Sequence, residues 1–516
     1  MFISQTLRRA AQLNPNGVAT VYANRKQSWC EFEKRVACLA AGVRSLRVAN
    51  GDRIAILSLN SDRYLEYFFA IPWAGMVLNP INIRLAPPEI AYAINDSQSS
   101  VLFVDDAFSA MLPILRPLME SVSHVVFMGE GDLPEGCIAY ESLIDQNKPM
   151  ADKSEGGAQL AGLFYTGGTT GRSKGVMLSH DNLVFNALNV VPEMGYGSDT
   201  IYMHAAPMFH LADMASTFAV TMAGGTHGIV PRFDVGDVLS FIEREKITHT
   251  LLVPTMINLL VSSGKISNFD VSSVRRMLYG ASPMPEAVLI SAMEQMPDAH
   301  FAQGYGQTEA SPIITALAPE FHVPGGAKLR SAGRAALGVE VAIMDKDDVE
   351  LPRGEVGEIC ARGPNVMLGY WGMEQASAET LRNGWLHTGD LGYMDKDGFV
   401  FIVDRAKDMI ISGGENIFSV EVEGAIYSHP AVQECAVVGI PHNEWGEMVH
   451  AIVVLKEGHG LNQGELLAHC RALIAGYKLP RSIEFRREPL PVSGAGKILK
   501  NELRWPYWEN KDRGVN

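Results

Sequence analysis

"FYTGGTTGRSKGVMLSH", residues 164–180, runs from an apolar, strand-like approach into four glycines, five Ser or Thr hydroxyls and two cations within seventeen positions. Glycines at 167, 168 and 171 let backbone N–H groups converge on one anion, because glycine takes up the turn conformations this needs without steric cost. The hydroxyls of Thr166, Thr169 and Thr170 add donors and Lys174 adds charge, so the stretch predicts a phosphate cradle at the end of a strand. It is not a Walker A loop: that pattern sets Lys after a Gly and before a hydroxyl, whereas Lys174 lies between Ser173 and Gly175. The competing reading is a plain surface turn, and so biased a composition directly after an apolar run argues against it. A phosphate loop entered from a strand points to the α/β class, in which open sheets present ligands at the carboxyl ends of their strands.

The surrounding sequence has the matching texture. Short β-rich runs, "RIAILSLN" at 53–60, "SVLFVDD" at 100–106, "HVVFMGE" at 124–130 and "THTLLVPT" at 248–255, alternate with amphipathic helical stretches. That alternation predicts βαβ units and largely parallel, covered sheets. Between about 330 and 405, "VEVAIMD", "GEVGEICARG" and "GFVFIVDR" are parted by Gly, Pro and Asp turns, which reads as a mostly antiparallel β-rich subdomain. After Arg405, helical "SVEVEGAIYSHP", strands "ECAVVGIP" and "HAIVVLKEG", and helical "NQGELLAHCRALIAGY" form a small α+β module, with the joint at "DRAKD", 404–408. The domain expectation is therefore 1–405 and 406–516.

Bulk properties narrow the partners. The 516 residues carry 58 acidic and 43 basic side chains, a formal charge of −15, which repels nucleic acid and anionic membranes, so a phosphate ligand must be met by local cations and amides. Six scattered cysteines form no C-x-x-C and no pairing with His at metal spacing, so neither zinc nor a disulfide framework is expected, and a reducing, cytoplasmic setting is. Tyr67–Ile83 and Met214–Pro231 are long uncharged runs broken by Pro or Gly, which reads as buried core with no membrane insertion. The start, "MFISQTLRRAAQLNPNG", lacks the long apolar stretch of a secretory signal.

Three further stretches carry chemistry. "FAQGYGQTEASP", 301–312, ends a strand in Gly304 and Gly306 and then presents Thr308 and Glu309, a carboxylate suited to Mg2+ beside a phosphate loop. By itself such a Glu is as well read as a solvated loop residue. In "GWLHTGDLGYMDKDGFVFIVDRAKDMIISGGENI", 384–417, Asp390 can accept from ribose hydroxyls, Arg405 can clamp the same sugar or its phosphate, and Gly413 and Gly414 allow close backbone approach. Each has an ordinary turn as its alternative. "PVSGAGKILKNELR", 491–504, presents Lys497 from a glycine-flexed loop, alone no more than a surface cation.

Taken together and in this order, these motifs resemble the ANL superfamily of adenylate-forming enzymes, over essentially the whole chain. The resemblance implies a large N-terminal domain of parallel-rich sheets with a small β-barrel-like subdomain, and a mobile C-terminal lid. It implies that Thr166, Gly167, Gly168, Thr169, Thr170, Gly171 and Lys174 hold the phosphates of ATP. Gly280, Ala281, Ser282, Gly304, Tyr305, Gly306, Gln307 and Thr308 line the adenosine, with Ile402 beside it, Asp390 and Arg405 meet the ribose, Glu309 holds Mg2+, and Lys497 promotes adenylation. Coenzyme A is then received by Arg84, Gly413, Gly414, Trp445 and Tyr477, after the lid turns about Lys407. The acid would meet His210, Leu211, Ala212, Asp213 and Met214, and an inward Asp213 would favour a polar tail. Two departures stand out: Gly167 and Ser173 replace a usual Ser and Pro, and "DRAKD" lacks the usual Gly before Arg405.

The expected activity is an AMP-forming acyl-CoA synthetase acting on a small carboxylic acid, either a medium to long fatty acid or an aryl acid such as a cinnamate. A homodimer is compatible with this reading. Loading of a carrier protein is the alternative within the superfamily; a phosphotransferase releasing ADP, or a non-catalytic nucleotide-binding regulator, are the alternatives outside it.

Overall fold

The computed structural model describes residues 1–166, 173–494 and 496–509. Two large sheets form the N-terminal domain. In the first, strands Val77–Pro80, Arg53–Leu57, Ser99–Val104, His124–Phe127 and Ile138–Ala139 run parallel, and Leu160–Thr166 joins them beside Val77–Pro80. Leu160–Thr166 then turns back through Lys174–Ser179 as an antiparallel hairpin, with Thr166 opposite Lys174. The glycine-rich stretch 167–172 lies between them, outside the described residues.

The second sheet has a parallel centre of Val18–Tyr22, Thr226–Ile229, Ile201–His204, His249–Leu251, Arg276–Gly280 and His300–Gly306. Ile313–Leu317 reverses the chain after Gly306 and pairs antiparallel with His300–Gly306, and Arg334–Ala335 forms the edge beyond it. Helices cover both sheets. Asp62–Trp73 is buried at every position, because it lies between layers and has no face turned to water. Leu211–Ala223 is nearly so. The two uncharged runs that the sequence assigns to core, Tyr67–Ile83 and Met214–Pro231, begin inside these two helices.

The third sheet, Glu340–Met344, Gly357–Arg362, Leu386–Met394 and Val400–Arg405, is antiparallel throughout. The small C-terminal domain is a sheet centred on Val432–His442 and Gly446–Leu455, flanked by Ile410–Ser412 and by Ser482–Arg486. Its side chains alternate faces as a strand's period of two requires. Cys435 and Val437 pack with helices Ser419–Tyr427 and Gln463–Arg471, while Ala436 and Val438 pack with Leu503 of the last helix, Lys500–Trp508.

Candidate active site

Three sheets and one loop of the small domain deliver the site. Strand His300–Gly306 ends in a tight reversal, and glycine is required there: a Cβ on Gly306 would lie 1.7 Å from the Pro312 carbonyl oxygen. Next to it a Cβ on Gly280 would lie 2.2 Å from the Gly304 carbonyl oxygen, so the two strand ends touch backbone to backbone. Ala281 and Ser282 follow Gly280 with part of their surface open, and the Gln307 amide closes the reversal by donating to the Pro312 carbonyl. Thr308 opens the short turn Thr308–Ala310 that carries Glu309.

That reversal fixes two functional side chains. The Tyr305 hydroxyl donates to Asp390 Oδ2 at 2.8 Å, and Arg405 Nε lies 3.1 Å from Asp390 Oδ1. Arg405 and Asp390 are direct partners across the antiparallel pair, with Ile402 one turn of the pleat away opposite Gly392. Glu309 Oε1 accepts from the Tyr370 hydroxyl at 2.8 Å, and Lys174 Nζ sits 4.6 Å from the centre of the same tyrosine ring. Tyr370 thereby links the hairpin of Thr166 and Lys174 to the carboxylate, since it also pairs with Val176.

The Asp390 turn has support of its own. Glu358 accepts from the Gly389 amide at 2.9 Å through one oxygen and from His387 Nδ1 at 2.8 Å through the other. Thr388 Oγ1 donates to the Ile359 carbonyl and accepts from the Asp390 amide. Cys360 Sγ lies 3.3 Å from the same His387 nitrogen, so Glu358, Cys360 and His387 share one cluster within 4.8 Å. A separation of 27 residues hides this Cys–His pairing from any spacing rule. Burial pushes the Cys360 thiol up to about 12, helped by Glu358, so it stands there as a neutral group.

Lys497 arrives from the small domain. Its loop is closed by its own amide on Ser493 Oγ at 3.1 Å and by the Ser493 amide on the Lys497 carbonyl at 2.7 Å. Burial brings the Lys497 ammonium down to about 8, with Arg405 and Lys407 pressing the same way and Asp390 and Glu309 opposing. The two carboxylates and two cations that flank the nucleotide motifs thus act on one ammonium. His210 belongs to the same cluster: burial, and then the Lys497 charge, hold its imidazole down to about 4, so it is neutral at pH 7. His210 also caps helix Leu211–Ala223, accepting from the Ala212 amide.

The acid-binding expectation needs correction at three positions. His210 and Ala212 keep accessible surface, but Leu211, Asp213 and Met214 are 2%, 0% and 0% exposed. Leu211 and Met214 are part of the main core. Both Asp213 oxygens are engaged, one by the Tyr202 hydroxyl at 3.1 Å and one by His204 Nδ1 at 2.6 Å. The relay continues from His204 to His227 and Thr221. An inward-facing Asp213 therefore serves the interior of the fold and is not open to a polar substrate tail.

The expected coenzyme A residues fall into two places. Gly413 and Gly414 form the turn between Ile410–Ser412 and Glu415–Ile417, and the Gly413 amide donates to the Trp445 carbonyl at 3.0 Å. Trp445 is stacked on His442 at 4.4 Å and carries the Arg481 guanidinium 4.9 Å from its ring centre, two partners that the sequence reading missed. Tyr477 is 47% exposed. Arg84 is elsewhere: its Nη1 donates to the Ser493 carbonyl at 2.8 Å, on the loop of Lys497. Gly167, Gly168, Thr169, Thr170 and Gly171 lie outside the described residues.

A family model described as AMP-binding enzyme matches residues 7–371, and one described as AMP-binding enzyme C-terminal domain matches residues 421–497. The chain belongs to the AMP-binding enzyme family. Among the relatives of this AMP-binding enzyme, a feruloyl-CoA synthase of Amycolatopsis is 40% identical over 96% of this chain and 97% of its own length. An indoleacetate–CoA ligase of Aromatoleum aromaticum is 35% identical over 98% of each. The crystal structure of the anthranilate CoA ligase AuaEII with anthranoyl-AMP superposes with a TM-score of 0.91 at 26% identity, over 98% of this chain and 97% of that one. Among the described residues of this AMP-binding enzyme no helix is long and apolar enough to cross a membrane.

Proposed function

We propose that this protein activates an aryl carboxylic acid with ATP and transfers the acyl group to coenzyme A, releasing pyrophosphate and then AMP. One observation carries the reading: Asp390, Glu309 and Arg405, which come from separate elements of the large domain, act electrostatically on the Lys497 ammonium of the small domain, and that ammonium acts on His210. In the first step an acid oxygen bonds to the α-phosphorus of ATP and the bond to pyrophosphate breaks. Negative charge grows on the phosphate oxygens, and preorganised cations stabilise it better than water does. Lys497 and Arg405 supply that charge here, while Asp390 holds the ribose hydroxyls. Thr166 and Lys174 direct the phosphate end of the nucleotide.

Glu309 offers a hard carboxylate oxygen, the donor magnesium takes when substrate phosphates fill the rest of its shell, so the residue fits that ion. Magnesium, when bound there, offsets the phosphate charge. Tyr370 keeps Glu309 aimed. His210 is neutral at pH 7 and so adds neither repulsion nor attraction of full charge beside the acid. In the second step the coenzyme A sulfur bonds to the acyl carbon and the bond to AMP breaks. Gly413, Gly414 and the Trp445 platform receive the thiol ligand after the small domain turns about Lys407, a rigid-body hinge of ordinary type.

An aryl acid is preferred over a fatty acid because ferulate, indoleacetate and anthranilate are the acids in the names of the similar proteins. Six free cysteines support a cytoplasmic setting. The test is direct: the purified protein is given ATP, Mg2+ and coenzyme A with ferulate, indoleacetate, benzoate or decanoate, and nucleotide products are separated. The expected products are AMP and pyrophosphate, dependent on an aryl acid, with a thioester formed only when coenzyme A is present. ADP as the product, or nucleotide turnover indifferent to acid, would overturn the reading.

A further inference from the structure

The segment "DRAKD" joins the Arg405 strand to the small domain, and a buried set of charges spans that joint. Asp404, 2% exposed, ends the strand Val400–Arg405. One of its oxygens accepts from the Ser419 amide and the other from Ser419 Oγ at 3.1 Å. The same Ser419 oxygen accepts from Lys500 Nζ at 2.7 Å, and Lys500 Nζ lies 2.7 Å from Glu423 Oε1. Glu423 also accepts from the Val437 amide at 2.8 Å. Asp404 precedes Lys407, whereas Ser419, Glu423 and Lys500 follow it, so the set bridges both sides of the joint.

Lys500 is the first residue of helix Lys500–Trp508 and stands three residues after Lys497. One turn further on, Arg504 Nη1 donates to the Lys407 carbonyl at 3.3 Å. Residues four apart share a helix face. This face therefore meets the joint twice, through Lys500 at Ser419, which in turn holds Asp404, and through Arg504 at Lys407. The helix is a strut between the loop that carries Lys497 and the strand that carries Arg405. On its other side that loop abuts the large domain, through Arg84 on the Ser493 carbonyl and through Gly496, where a Cβ would lie 3.0 Å from Thr255 Oγ1.

Stability alone does not account for the set. A buried ion pair seldom stabilises a fold more than apolar side chains of the same volume would. What it does impose is one relative position of its members. We propose that Asp404, Ser419, Glu423 and Lys500 are positioning residues for acid activation: they hold Lys497 in register with Arg405, Asp390 and Glu309, and take no part in the thiol step. The inference rests on the function proposed above.

Lys500→Met, Lys500→Arg and Asp404→Asn are compared with the wild type in three measurements: acid-dependent exchange of pyrophosphate into ATP, thioester formation from supplied acyl-adenylate and coenzyme A, and thermal unfolding. Lys500→Met and Asp404→Asn are expected to lower the kcat of exchange tenfold or more, to move the KM for ATP less than threefold, and to leave thioester formation within twofold. Lys500→Arg keeps the charge and is expected to restore most of the exchange. Should Lys500→Met not fold, Ser419→Ala removes the bridging hydroxyl and takes its place. Exchange at the wild-type rate in soluble variants would overturn the proposal, as would an equal fall in both half-reactions that tracks lost thermal stability. Absence of exchange in the wild type with every aryl acid would instead strike the proposed function, and the positioning role would fall with it.

Discussion

In the proposed activation step Lys497 needs its charge to act on a phosphate, and its surroundings put that charge at risk. Burial, with Arg405 beside it, brings the ammonium from its ordinary value of 10.5 down to about 8. A group with a lowered value keeps its proton below that pH and loses it above. The kcat/KM for ATP in pyrophosphate exchange should therefore fall as pH rises through about 8, since this quantity reports the free enzyme. His210, held at about 4, stays neutral across that range and does not shape the limb. In Lys497→Arg the guanidinium stays charged, so the surviving exchange activity should lose this alkaline limb; a pH–rate profile of both proteins checks it. At the same scale the motifs around Thr166, Glu309, Asp390 and Lys497 were legible as short runs of glycine, hydroxyl and charge. Tyr370, which aims Glu309, was not, because a lone tyrosine after a glycine carries no local pattern.

Helices and strands were legible wherever their periodicity was local. "RIAILSLN" and "SVLFVDD" became the strands Arg53–Leu57 and Ser99–Val104, since β-branched apolar runs bounded by polar turns have few other stable states. What couples one element to another was not legible. Glu66, 0% exposed on helix Asp62–Trp73, accepts from Arg35 at 2.6 Å, from Gln27 at 3.0 Å and from the Tyr140 hydroxyl, so it joins three helices and a strand. Its partners lie 31, 39 and 74 residues away. Glu66→Ala removes the acceptor of the buried Tyr140 hydroxyl and of Gln27, while Arg35 keeps its pair with Glu141. It should lower the unfolding free energy by about 2 kcal/mol, the usual cost of leaving a buried donor unsatisfied. Urea denaturation measures the change, and the kcat of the surviving folded enzyme should stay within twofold of wild type.

At the scale of the whole molecule the sites proposed for the two ligands fall on different parts. The residues proposed for the nucleotide lie in the large domain except for Lys497, while the Trp445 platform with Gly413, His442 and Arg481 stands in the small domain. Trp445→Ala should accordingly raise the KM for coenzyme A about tenfold, the scale of one lost aromatic stacking contact, and change the KM for ATP less than twofold. Steady-state kinetics with each substrate varied decides it, and an unchanged KM for coenzyme A removes Trp445 from the thiol site. By itself the sequence determined the α/β class, several of the strands and the run of motifs that marks the family, because each is written in neighbours a few positions apart. Tertiary structure alone decided that Asp213 faces the core, that Arg84 reaches the Lys497 loop, that His387 meets Glu358 and Cys360, and that Asp404 is tied to Lys500 through Ser419. Those pairings join residues far apart in the chain, and only the closing of sheets and helices around a common interior brings their charges within a few ångströms.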